Sequence, residues 1–364
     1  MVVSRRTRWF AALFLALALF GAACAAEEEP ADTGGGDEQE EVDFLACQVT
    51  DTGGIDDKSF NQTAFKGLED AAADFGVQTK FLESQSPNDF ETNIQAFIDQ
   101  GCDIIITVGF LLGDATAAAA EANPDQLFAI VDFDFFDVDK GEDITFDNVK
   151  ELTFQTDEAA FLAGYVSAGM TETGKVGTFG GIPIPTVTIF MSGYQAGVEH
   201  YNSEKGADVT VSGWDSANPD GGLFTGDFEN QDNGKQITES LLGEDVDIVM
   251  PVAGPVGLGA TAAVQDAGNA SLVWVDTDGC VSVEEFCPLF LTSVLKNMDV
   301  AVHDTIEEAL NDEFEGGLYV GTLENDGVGI APYNEFESQV PDELKQEVED
   351  IKAGIIDGSI TVGE

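Results

Sequence analysis

From Thr50 to Ala71 the chain reads TDTGGIDDKSFNQTAFKGLEDA. A short apolar run over 44–49 precedes it and an amphipathic pattern follows. Asp51, Asp57, Ser59, Phe60 and Asn61 therefore fall at the carboxyl end of a strand and on the first turn of a helix, where ligands bind in open α/β sheets. The carboxylates, hydroxyl and amide can hydrogen-bond a polar ligand, and Phe60 offers a face to a flat one. The spacing of Phe60 also fits the apolar face of that helix. Gly53-Gly54 would let backbone N–H groups approach a ligand, but none of the glycine-rich stretches is followed by the Lys-Ser or Lys-Thr of a phosphate loop.

Catalysis finds little support. The two histidines, His200 and His303, have no Ser/His/Asp order, HExxH or GxSxG element around them, so no enzyme is expected. The acidic stretch 132–143 does not match an EF-hand loop, and no C-x-x-C or His-rich spacing points to a metal; no cofactor is expected. No arginine follows Arg8. Bidentate guanidinium pairing is the common way to hold carboxylate or phosphate, so its absence points away from amino-acid, phosphate and nucleotide ligands. A neutral ligand rich in hydroxyls and ring nitrogens is more compatible, since carboxylates accept ribose hydroxyls and aromatic rings stack on bases.

The elements that must position these residues alternate. From residue 43 apolar strands and amphipathic helices succeed one another, the mark of a parallel α/β sheet. A first series runs to about 155 and a second from 156, followed by a returning tail. The expected organisation is two lobes, each a parallel sheet flanked by helices, with a hinged cleft between: 43–155 plus about 279–314, and 156–278 plus about 315–364. Such a cleft is a preferred small-molecule site.

Residues 1–24 read as a targeting segment, with Arg5, Arg6 and Arg8 before an apolar core. Gly21-Ala22-Ala23-Cys24 resembles a lipobox, with Gly where Leu is usual, so Cys24 is the expected lipidation site. Residues 25–42 are acidic and glycine-rich and read as a flexible tether. The expected state is a monomer anchored by lipid on the extracytoplasmic face of the cell membrane. Four cysteines remain; of three connectivities, Cys47–Cys102 and Cys280–Cys287 are favoured. The chain carries 69 acidic and 14 basic residues, a net charge of −55, which repels nucleic acid. Our hypothesis for this charge is adaptation to concentrated salt, where screening relieves self-repulsion.

Several stretches resemble, in order, the "basic membrane protein" family of ABC-transporter substrate-binding lipoproteins, which includes purine nucleoside receptors. They are TDTGGIDDKSFNQ, GCDIIITVGF, ANPDQLFAIVD, DEAAFLAGYVSA, KVGTFGG, FMSGYQAGV, DIVMPVAG, WVDTD and TSVLKNMDVAV, spanning about 44–331. The resemblance implies a type I periplasmic-binding-protein fold that closes on a nucleoside, with a purine nucleoside expected, and hands it to an ABC permease and its ATPase. It implies that Asp51, Ser59 and Asn61 hydrogen-bond the ligand and that Phe60 stacks on the base. Asp132 would take a polar edge of base or sugar, and Phe190 would join the set. Gly254 would allow close backbone approach, Asp276 would accept ribose hydroxyls and Lys296 would donate. The second stacking aromatic is either Trp214 or Phe228. The same fold could serve another neutral ligand such as a sugar, or a sensor for a signalling partner.

Overall fold

The computed structural model describes residues 42–137 and 141–363. The targeting segment, Cys24 and all of the tether but Val42 lie outside them. The elements are β1 (Leu45–Thr50), α1 (Phe60–Phe75), β2 (Gln78–Glu83), α2 (Phe90–Gln100), β3 (Ile104–Val108), α3 (Gly113–Ala122) and β4 (Leu127–Val131). A small hairpin, β5 (Phe136–Asp137) and β6 (Glu142–Asp143), precedes β7 (Val149–Phe154) and α4 (Thr156–Met170). Then come β8 (Lys175–Gly180), α5 (Pro185–Lys205), β9 (Thr210–Ser212), α6 (Gln231–Gly243), β10 (Ile248–Val252), α7 (Gly257–Ala267) and β11 (Ser271–Asp276). The tail holds α8 (Gly279–Ser282), β12 (Phe290–Lys296), α9 (Met298–Leu310), β13 (Gly317–Gly321), β14 (Val328–Ile330) and α10 (Asp342–Ile356).

These strands form two six-stranded sheets, in the orders β13-β7-β4-β3-β1-β2 and β14-β12-β11-β10-β8-β9. All main pairings are parallel except β12–β14. Central strands are apolar throughout because helices cover both faces: every residue of β3 and β10 is buried. Helix α1 shows the 3.6-residue spacing, burying Ala64, Leu68 and Ala71, and stops at Gly76, whose φ of 73° suits a left-handed C-cap.

One core cluster is continuous between the lobes, joining Leu68 and Ile104 of the first to Val176 and Met250 of the second. Each lobe adds a core of its own on the opposite sheet face, around Phe97 and Phe128 in the first and Trp274 and Phe290 in the second. Cys47 is disulfide-bonded to Cys102, tying β1 to the turn before β3, and Cys280 to Cys287 within the loop before β12.

The tail departs from the expected lobe boundaries. Of the segment at about 279–314, expected in the first lobe, β12 instead pairs with β11 in the second sheet, with Trp274 opposite Ser293 and Asp276 opposite Leu295. The chain crosses only after Lys296, and α9 then packs on α1 of the first lobe. Likewise β13, expected in the second lobe, pairs with β7 in the first. The cysteine loop is thus a return between neighbouring strands, and the lobes exchange segments at three crossings, near 155, 297 and 322–327.

The second half of each lobe repeats in register. Ile104 and Ile248 begin the equivalent strands β3 and β10, Gly113 and Gly257 begin α3 and α7, and Leu127 and Ser271 begin β4 and β11, each pair 144 residues apart. Asp132 and Asp276 stand at the same offset, and both are left-handed, with φ of 67° and 70°.

Candidate ligand-binding site

The carboxyl ends of the two sheets face each other across one cavity, with about 550 Å³ of atom-free space including its mouth. Polar residues follow from the strand ends. Past β1, β3 and β4 the backbone ladder continues one more residue: Asp51 N–H donates to Val108 O, Gly109 N–H to Val131 O and Asp132 N–H to Leu152 O. This fixes Asp51, Gly109 and Asp132 as a row on the first lobe. From the second lobe come Gly254 after β10, Asp276 at the end of β11 and Lys296 at the end of β12. Asp132 and Asp276 pay a conformational cost for their left-handed backbones, of the kind that persists where surrounding structure over-determines it.

Lys296 is buried, at 2% exposure, and ion-paired to Asp132 of the other lobe. Its ammonium also lies 5.0 Å from the centroid of Phe60 and 5.6 Å from those of Phe154 and Phe190. These rings replace part of its lost hydration. Burial pushes the Asp132 and Asp276 carboxyls above their ordinary range, and Lys296 opposes the rise at both. Burial also pushes Asp51 up, to about 8; the Asn61 hydrogen bond works against this and the charges of Asp57 and Asp132 add to it.

Asp51, Phe60, Asn61, Asp132, Phe190, Phe228, Gly254, Asp276 and Lys296 all line this cavity. Ser59 does not line it; it sits behind Asp276, donating to Oδ2 at 2.6 Å, with the Val275 carbonyl oxygen at 3.2 Å. Trp214 is not in the cavity. It is buried in the second lobe, with Nε1 donating to Ser192 Oγ at 3.2 Å and its ring edge-on to Phe224. The physical reason is Gly213: its φ of 89° turns the chain at the strand end, so the loop runs back over Trp214, with Gly222 against the indole. The same loop brings Phe228 onto Gly181, where a Cβ would stand 2.2 Å from the ring.

The lining groups outside the ligand set implied by the resemblance include Asp57, Phe110 and Thr52. Asp57 caps α1, accepting from the backbone N–H groups of Ser59, Asn61 and Gln62 at 2.7–3.0 Å. Its position just before a helix start was the available signal. Burial lifts its carboxyl to about 6 against those bonds. Phe110 and Thr52 also line the cavity; Phe110 packs on Phe133, 5.2 Å between centroids. Neither histidine is there: His303 lies between Asp74 and Asp304, and His200 against Phe161 and Tyr165. Among the described residues no group of three or more His, Cys, Asp or Glu side chains could hold a metal ion, and no helix is long and apolar enough to cross a membrane.

Two parallel-dominated lobes closing on a polar, phenylalanine-walled cavity define a solute-binding protein of the type I periplasmic-binding-protein fold. The match of a family model, "ABC transporter substrate-binding protein PnrA-like", to residues 44–364 places the chain in the Bmp family. It is 32% identical to the "ABC transporter nucleoside-binding protein BmpA" of Lactococcus lactis, over 95% of this chain and 97% of that one. It is 31% identical to a "CD4+ T-cell-stimulating antigen" of Listeria innocua, over 94% of each. A solved ABC-transporter solute-binding protein from Aeropyrum pernix matches its fold with a TM-score of 0.77 at 26% identity, covering 87% of this chain and 92% of that one. These comparisons indicate no enzyme family.

Proposed function

We propose that this substrate-binding protein captures a nucleoside, with a purine as its base, and delivers it to an ABC permease driven by an ATPase. The observation that carries the reading is the union, in one cavity between the lobes, of aromatic faces (Phe60, Phe190, Phe228) with Asp132, Asp276 and Lys296. Flat rings stack on a base, while carboxylates beside an ammonium can accept from and donate to a vicinal diol. The absence of arginine after Arg8 favours an unphosphorylated ligand. The name of the Lactococcus lactis relative supports the same ligand class. Cys24 would carry the lipid that holds the receptor at the extracytoplasmic face of the membrane. The ligand contacts both lobes, so it favours the closed state, and closure reports occupancy to the permease.

The test is calorimetric titration of ligand-stripped protein, in molar salt, with adenosine, guanosine, inosine, cytidine, uridine and ribose. Purine nucleosides binding at micromolar Kd or tighter, with binding lost in Asp276→Ala, is the expected result. Binding of ribose alone, unaffected by Phe60→Ala, would instead make this a sugar receptor.

A further inference from the structure

Behind Phe110 lies a row of aromatic rings. Its ring is 5.2 Å from that of Phe133, Phe133 is 5.0 Å from Phe135, and Phe135 is 5.0 Å from Phe146, centroid to centroid. Phe110 lines the cavity and Phe133 does not. The far end of the row is anchored: Phe135 is buried in the first lobe's own core, and Phe133 and Phe146 pack against that core. The Phe135 backbone is held from both sides. Its N–H donates to Oε2 of buried Glu151 at 3.0 Å, and its carbonyl oxygen accepts from the Ile144 N–H at 2.8 Å.

Two features tie Phe133 to the site. It follows Asp132 directly, where the left-handed backbone turns the chain away from β4. Its ring also fills the space that a side chain on Gly113 would take, since a Cβ there would stand 2.3 Å from it. Glycine at the start of α3 is what lets the ring lie there. The second lobe provides the contrast. Gly257, at the start of α7, likewise abuts an aromatic, the indole of Trp274, at 2.8 Å from its Cβ position. Yet the counterpart of Phe110, 144 residues on, is Gly254. At these matching positions the cavity wall is a side chain in the first lobe and bare backbone in the second.

We propose that Phe133 is a positioning residue that holds Phe110 in the wall, and that this wall limits the ligand to a nucleoside without a bulky substituent. A ring backed by a second ring in a close-packed interior has no room to retreat. One methylene more or less at an apolar wall is worth roughly 10–200-fold in discrimination. With Phe133 cut back, Phe110 can turn into the vacated space and the cavity takes a larger ligand. The inference rests on the nucleoside reading above.

The full chain is titrated calorimetrically with adenosine and guanosine, and with derivatives of each carrying a benzyl group on the exocyclic amino nitrogen or on the 5′ oxygen. In the wild type at least one benzyl position costs about tenfold or more in affinity relative to the parent nucleoside. Phe110→Ala and Phe133→Ala each shrink that same ratio about tenfold, Phe133→Leu shrinks it less, and the double variant adds nothing to Phe110→Ala alone. Equal weakening of parent and derivative in Phe133→Ala, with the ratio unmoved, overturns the proposal and leaves Phe133 as core packing only. So does a wild type that binds every derivative as tightly as its parent. Failure of both parent nucleosides to bind the wild type removes the nucleoside reading, and this inference with it.

Discussion

Ser59 Oγ donates to Asp276 Oδ2 at 2.6 Å, joining the first turn before α1 in one lobe to the end of β11 in the other. A second bond runs beside it, from Trp274 Nε1 to the carbonyl oxygen of Lys58 at 3.2 Å, and Lys58 is itself left-handed, with φ of 64°. The cleft is therefore latched by the protein's own groups. Asp276 serves both the latch and the cavity, so ligand contact and lobe contact meet in one carboxylate.

Ser59→Ala removes the hydroxyl and leaves Asp276 buried with one donor fewer. Hydrogen bonds to charged groups contribute about 1.5–3 kcal/mol. The expected result is ligand affinity reduced about tenfold or more while Asp57, which supplies the cap, keeps α1 folded. Titration with the best ligand checks the first part, and far-ultraviolet circular dichroism the second.

Lys296→Met strands Asp132. Breaking a buried pair from one side costs about 3–5 kcal/mol because an uncompensated charge remains. The expected loss is smaller in Lys296→Met combined with Asp132→Asn than in Lys296→Met alone, a coupling that a urea-unfolding double-mutant cycle measures. Additive losses would mean that the two residues act independently.

Phe228→Ala and Trp214→Phe separate the two aromatics. Stacking is worth about 1–3 kcal/mol per base, so Phe228→Ala should weaken nucleoside binding by about tenfold or more. Trp214→Phe should leave affinity within about twofold and lower the melting temperature instead, because it acts on the second-lobe core.

Asp51 also gives the ligand-free protein a pH dependence of known sign. Its folded carboxyl, at about 8, holds a proton that the unfolded chain, near 3.8, has released. The folded state therefore binds more protons between these values, and stability falls as pH rises from about 4 to about 8. Asp51→Asn abolishes this contribution. The stability of the variant relative to wild type should climb through that window and level off above it, as followed by denaturant midpoints at constant high salt.

The unfolding midpoint should rise between low and molar salt, because 69 acidic side chains repel one another within one chain. Equal midpoints would end the hypothesis of salt adaptation.

The strands and helices that precede the tail were legible because their signals are local. The run over 104–108 is apolar at every residue, and the pattern from 60 onward carries its own period and its own terminal glycine. The tail was not legible: whether β12 or β13 joins one sheet or the other depends on pairing with strands far away in the chain, which periodicity does not encode. The same limit left Trp214 and Phe228 undecided, since their places depend on a loop folding back at Gly213. Gly181, abutting the Phe228 ring, was the residue whose small size could have marked the right one. Ser59 was readable as a residue of the cleft but not as a latch, because its partner lies 217 residues away.

The register repeat gives the cavity an approximate twofold character. Asp132 and Asp276 are counterparts, set on matching strands with matching backbones, and alone they would offer a ligand much the same grip in either of two opposed poses. Lys296 breaks that equivalence: it enters from one lobe and is bonded to the carboxylate of the other. A single ammonium thereby gives the cavity a polarity, and with it one way round for whatever it encloses.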